Sequence, residues 1–250
     1  MSRMGRVGAE TSAGWRSFVR RRTAVFFTFF FPVILIVIFG ALVRTDPGGG
    51  GLFTEPAGYY VPGYLAVVVL FTPLSRLGST VARNREGNRF EKLATTPLTR
   101  AEWLAAHTAV NGAIIGLASL LILGLVIVLT GADVTPSPLL VPFVAFGVLL
   151  FCGVGALLGR LADSQDGAVT ASNAIGLPLL FLSETFVTPD LLPGWFGPLM
   201  NLSPLTYFAR GARAATYPAN EASPYPSLTV LVVLAVVAFA LGAYAIPRTD

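Results

Sequence analysis

This chain is nearly empty of the side chains that carry chemistry. Among its 250 residues there is one cysteine, Cys152, one histidine, His107, and one lysine, Lys92. A single thiol and a single imidazole cannot build a metal cluster, a disulfide framework or a Ser-His-Asp set. The lone lysine sits in Glu91-Lys92-Leu93-Ala94 with no glycine loop before it, so the phosphate cradle of a nucleotide hydrolase is missing. Charge is scarce too: Asp, Glu, Lys and Arg make up 12% of the residues, against about 25% in an ordinary soluble domain. Within the apolar stretches only Arg76, Glu184 and His107 are ionisable, so the buried ion chain of a proton-coupled pump is absent as well.

What fills the chain is apolar length. Hydrophobic residues reach 54% and the mean hydropathy is +0.71. A bilayer core about 30 Å thick takes about 20 helical residues, so the uncharged intervals are the useful measure. Five run from Thr23 to Val43, Pro56 to Ser75, Trp103 to Ala132, Val134 to Gly159 and Ala222 to Pro247. A sixth, Gly167 to Ser183, has 17 residues and reaches across if Glu184 lies at the interface or faces protein. A seventh, Leu191 to Ala209, contains Pro193, Gly194, Gly197, Pro198 and Pro204. Proline removes backbone donors, and lipid satisfies no orphaned backbone group. This last interval therefore reads as short re-entrant or interfacial helices.

The expected fold is an all-α membrane protein. Residues 1–22 form an N-terminus with an amphipathic in-plane helix, in which Trp15, Phe18 and Val19 make one face and Arg16, Arg20 and Arg21 lie off it. Residues 23–250 form one domain of six spans, near 23–43, 58–80, 103–130, 139–160, 167–187 and 228–246. The first apolar run has 21 residues, longer than a signal-peptide core of roughly 7–15, and is expected to be an uncleaved anchor. Gly48 to Gly51 read as a linker, and Gly153, Gly155 and Gly159 as close helix packing. Asn173, Gly176 and Pro178 suggest a kink in the fifth span.

Six crossings put both termini on one side. That side then holds 13 of the 17 Lys and Arg residues, the other holds Arg44, Arg210 and Arg213, and Arg76 lies in the second span, close enough to its inner end to snorkel. The positive-inside rule makes the rich side cytoplasmic. The net charge of +4 is thus juxtamembrane charge facing anionic lipid, with no nucleic-acid partner implied.

The densest charge is the island Arg83 to Glu102 between two long apolar runs. Arg89, Phe90, Lys92, Leu93 and Ala94 read as a short helix, which Thr95, Thr96 and Pro97 then break. Thr99 and Glu102 form a capping-box pattern, with Leu98 and Trp103 placed for a hydrophobic staple. Asp163 and Asp166 are expected as turn and cap residues, and His107 as a hydrogen-bonded or headgroup residue near Asn111. Glu184 is expected either to meet substrate or to pair with Arg210 or Arg213.

Taken in order, the in-plane helix, the six spans, the island residues Arg85, Glu86, Gly87, Glu91, Leu93, Thr96, Pro97, Leu98 and Arg100, and the run from Leu192 through Asn201 to Arg213 resemble the permease subunit of type-2 ATP-binding-cassette exporters, in the daunorubicin-resistance-like branch. The resemblance covers essentially the whole chain. It implies a homodimer in a prokaryotic plasma membrane, joined to two copies of a separate ATPase subunit that holds the ATP and Mg; this chain itself holds no cofactor and no metal. It maps a coupling helix onto Arg85 to Leu93, with Arg85, Glu86, Gly87, Arg89, Phe90, Glu91 and Leu93 meeting the ATPase. Arg83-Asn84 precede it in place of an acidic run, so these contacts are assigned by position. Outer re-entrant helices map onto Leu191 to Arg213, with Glu184, Trp195, Asn201, Arg210 and Arg213 as outer-gate or substrate contacts. The cargo expected is hydrophobic or amphipathic, drug or lipid-like. A non-transporting scaffold that recruits a cytoplasmic partner, and an intramembrane enzyme, are the alternatives.

Overall fold

Helix α3 organises the molecule. Its residues from Val61 through Leu70 are buried without a break, because an apolar β-branched run can be covered on every side by other helices. The computed structural model describes residues 2–38, 55–135, 137–186, 192–220 and 222–247, and no β-strand occurs among them. In chain order the helices are α1 (Arg3–Arg20), α2 (Arg22–Ile36), α3 (Val61–Glu86), α4 (Arg89–Ala94), α5 (Arg100–Thr130), α6 (Leu140–Leu161), α7 (Gln165–Phe181), α8 (Gly197–Met200), α9 (Pro204–Thr216) and α10 (Tyr225–Ala245).

Among the described residues four helical stretches are long and apolar enough to cross a bilayer: Ala57–Glu86, Arg100–Thr130, Leu140–Leu161 and Tyr225–Ala245. Helix α2 has 15 residues and α7 has 17, so length alone does not settle the first and fifth expected spans. Residues 39–43 of the first span, Arg44 and the glycine linker lie outside the described residues.

Close approaches fix the register. Gly147 faces Val69, Gly155 faces the carbonyl of Leu74 and Gly159 faces Gly78, so α6 runs parallel to α3. A Cβ on Gly155 would stand 2.7 Å from the Leu74 oxygen; glycine is what lets the two backbones touch. Helix α7 runs the other way. Gln165 meets Glu86, Ser172 meets Leu74, Gly176 meets Phe71, and Thr185, in the turn after α7, lies against Gly63. That register covers a stretch of α3 about 35 Å long by helical rise. The fifth span is expected from the sequence to reach residue 187; α7 itself stops at Phe181, and a buried turn of Ser183, Glu184 and Thr185 follows it. The helix is continuous through Asn173 and Gly176, with Pro178 in its last turn. Its N-cap is Ser164, whose hydroxyl accepts from Gly167 N at 3.0 Å, and not either aspartate.

The N-terminal helix also departs from expectation. It starts at Arg3, capped by Ser2, and ends at a non-helical Arg21. Trp15, Phe18 and Val19 do not share one lipid-facing surface: Phe18 is buried against Val110 and Ile114 of α5, while Val19 is half exposed. Along the pair, Arg6 meets Glu102, Glu10 meets His107, and Gly14 meets Val110. So α1 runs alongside the first three turns of α5, which is 31 residues long and can spare them from a crossing.

Candidate functional site

Two polar assemblies stand at opposite ends of α3. At the end that carries the charged island, α3 continues to Glu86, so Arg85 and Glu86 are its last turn and the short helix α4 begins only at Arg89. The expected coupling stretch is therefore two elements. Gly87 caps α3 with an ordinary φ of −94°, and Asn88 takes the left-handed turn position at φ 49°, a role its short side chain tolerates. Helix α4 turns Phe90 inward, where it is 3% exposed and meets the Trp103 ring at 5.4 Å. Leu93 is half-buried against the same core, whereas Arg89, Glu91 and Lys92 are exposed.

Arg85 and Glu86 point elsewhere. Arg85 Nη1 donates to the carbonyls of Arg160 at 2.7 Å, Ala162 at 2.9 Å and Gly159 at 3.3 Å, and Glu86 Oε1 accepts from Gln165 N at 2.8 Å. Both are committed to the α6–α7 turn of their own chain.

The start of α5 is fixed as its pattern indicates. Glu102 N donates to Thr99 Oγ1 at 3.2 Å while Thr99 N donates to Glu102 Oε2 at 2.9 Å, a complete capping box. Leu98 and Trp103 both pack into the main core. The other carboxylate oxygen of Glu102 accepts from Arg6 Nη2 at 2.7 Å. Arg6 first, and the Thr99 backbone next, hold this carboxyl down at about 2. One turn on, the His107 ring lies tilted against Trp103 with centroids 4.1 Å apart, and its Nε2 is 3.3 Å from Glu10. The hydrogen bond from His107 holds the Glu10 carboxyl below its ordinary value, against the opposing pull of burial. Arg6 and Glu10 carry no sequence signal, since both lie more than 90 residues from their partners.

At the far end Glu184 is buried between two arginines. Arg210 donates to Glu184 Oε1 through Nε at 2.8 Å and also through Nη2, and its Nη1 reaches Asn201 Oδ1 at 2.9 Å. Arg213 Nη2 donates to the Glu184 carbonyl at 2.5 Å, and its guanidinium lies 3.9 Å above the Tyr59 ring. Tyr59 is thus a cation–π partner for a buried charge. Ser203 donates to the Leu179 carbonyl at 2.9 Å, tying the α8–α9 segment to the end of α7. Trp195 stands apart, 68% exposed and beside Phe196. Glu184, Arg210, Arg213, Tyr59 and Tyr217 line a cavity of about 650 Å³ that also takes in Glu55. Among the described residues no group of histidine, cysteine and carboxylate side chains is arranged to hold a metal ion.

Comparison with known families matches residues 6–217 to the ABC-2 type transporter family. The chain is 25% identical over 191 residues to the daunorubicin resistance ABC transporter permease protein DrrB1 of Streptomyces coeruleorubidus. That alignment covers 73% of this chain and 64% of the relative, so the chain spans less than two thirds of that protein's length.

Proposed function

The chain belongs to the ABC-2 type transporter family, and from that premise we propose that it is the permease subunit of an exporter driven by a separate ATPase. In this reading α2, α3, α5, α6, α7 and α10 make six crossings, both termini are cytoplasmic, and the membrane is a prokaryotic plasma membrane. The register of α7 along the whole of α3 supports the fifth crossing. Helix α1 lies at the cytoplasmic interface beside α5, and α8 with the start of α9 enters from the outer side. Two copies of the chain act with two copies of the ATPase, where ATP and Mg are held. The cargo is hydrophobic or amphipathic, in keeping with the daunorubicin in the relative's name.

The observation that carries the reading is the mounting of α4. Its outward face offers Arg89, Glu91 and Lys92, while Phe90 on Trp103 and the capping box after it join the helix firmly to α3 and α5. A six-residue helix held this way transmits a displacement; a loose loop would absorb it. Co-expression with its ATPase, reconstitution into liposomes and assay with daunorubicin test the proposal. ATP-dependent movement of the drug and drug-stimulated ATP hydrolysis are expected. Replacing Arg89, Glu91 and Lys92 by alanine should strip the ATPase from the chain while leaving membrane levels unchanged. Firm recruitment of the ATPase with no drug-stimulated hydrolysis would establish a scaffold instead.

A further inference from the structure

Consecutive helices α6 and α7 end and begin within three residues, Ala162 to Ser164. A helix C-terminus presents unsatisfied carbonyls and a partial negative charge; a helix N-terminus presents unsatisfied N–H groups and a partial positive one. The last turn of α3 places a cation and an anion side by side against these two ends in matching order. Arg85 gathers three carbonyls from the end of α6, and Glu86 takes the first N–H of α7. We infer that Arg85 and Glu86 are positioning residues, a two-headed clamp that makes the α6–α7 turn move with α4, and that α7 carries this movement to the Glu184 cluster. The inference rests on the proposed permease function and extends it by naming the route.

Helix α7 is suited to the task. It is capped at Ser164, unbroken over 17 residues, and packed along one face against Leu74 and Phe71 of α3. Its other face, with Asn173, Ile175, Leu177 and Phe181, is exposed. At its outer end, Ser183 and Thr185 both donate to the Leu180 carbonyl and fasten the turn that holds Glu184. Glu184 in turn binds α9 through Arg210 and, through Arg213, the Tyr59 end of α3. A displacement carried along α7 from the clamped end therefore reaches these ion pairs first. The cluster is paired in this structure, and as a switching element it would open when that displacement arrives.

The test uses the complex of the chain with its ATPase in liposomes. Ser227, half-buried at the rim of the outer cavity, is replaced by cysteine and labelled with a membrane-impermeant maleimide, with and without a non-hydrolysable ATP analogue. With Arg85 and Glu86 intact, the analogue should change the labelling rate several-fold. Arg85→Ala and Glu86→Ala should each abolish that change while the ATPase still co-purifies. Glu86→Gln keeps an oxygen that accepts from Gln165 N and should retain part of the response, which a merely structural role would not produce. Arg85→Lys, a folded-state safeguard, should retain part of the response, since the three carbonyls all meet one nitrogen of Arg85, Nη1, and an ammonium also offers its three N–H groups from one nitrogen. An undiminished response in the alanine variants overturns the clamp and leaves the permease reading standing. A complex with the clamp intact that never responds to nucleotide overturns both.

Discussion

Glu102 illustrates how few charges this chain spends and how fully each is used. One oxygen closes the capping box of α5 and the other receives Arg6 from α1. Because the folded carboxyl is held at about 2, below the ordinary value it regains on unfolding, the contribution is fully present above the ordinary carboxylate range. It is lost as pH falls through about 2. Hydrogen exchange of the α1 amides, corrected for intrinsic rate, should therefore stay slow from neutrality through mildly acid pH. Glu102→Gln should speed it at neutral pH by removing the charge that Arg6 pairs with. Thr99→Ala removes the cap alone and should cost about 1 kcal/mol of stability, read by thermal unfolding in detergent. The box was legible from four adjacent letters because capping is local chemistry. The Arg6 contact was not, since nothing in a lone arginine says which of the distant carboxylates it will meet.

Among the helices, glycine decides how close neighbours stand. A Cβ on Gly159 would meet the Gly78 backbone and stand 2.7 Å from Val81 Cβ, and one on Gly242 would lie 2.6 Å from the Gly153 oxygen. Gly159→Ala should accordingly destabilise the bundle by about 1–3 kcal/mol, the usual cost of overpacking. Gly116→Ala and Gly124→Ala, where an added Cβ meets nothing within 4 Å, should show no loss in the same unfolding assay. The small-residue run in α6 announces this packing, and uncharged intervals place α3, α5, α6 and α10, because bilayer length is written directly in residue count. What composition hides is register. The charged island looks like one handle, yet α3 passes through its first part, turning Arg85 and Glu86 toward a helical turn about 75 residues away. The aromatic stripe of α1 is similarly ambiguous: its spacing demands an apolar neighbour and cannot say whether that is lipid or α5.

For the whole molecule, the sparse charges at the Glu184 end of the bundle are the reverse case, where scarcity makes pairing legible. With so few acids and bases available at that end, Glu184 had little choice but Arg210 and Arg213. Their burial now ranks them: the Arg213 side chain is 6% exposed and that of Arg210 is 38%. Breaking a buried pair strands a desolvated charge and costs about 3–5 kcal/mol, while an exposed pair is worth about 0–1 kcal/mol. Glu184→Ala leaves Arg213 buried with the Tyr59 ring and backbone carbonyls for company, and should fall in the first class. Arg210→Ala should fall between the two, since Arg210 is 38% exposed but the Glu184 carboxylate it leaves behind is only 7% exposed. A double-mutant cycle between positions 184 and 213, read by thermal unfolding, should then give a larger coupling than one between 184 and 210. Since Arg213 is also the side chain that joins α9 to the Tyr59 end of α3, that ordering makes it the tie that holds α9 to this end of the bundle. The opposite ordering would move that role to Arg210 and Asn201, at the exposed rim of the cluster.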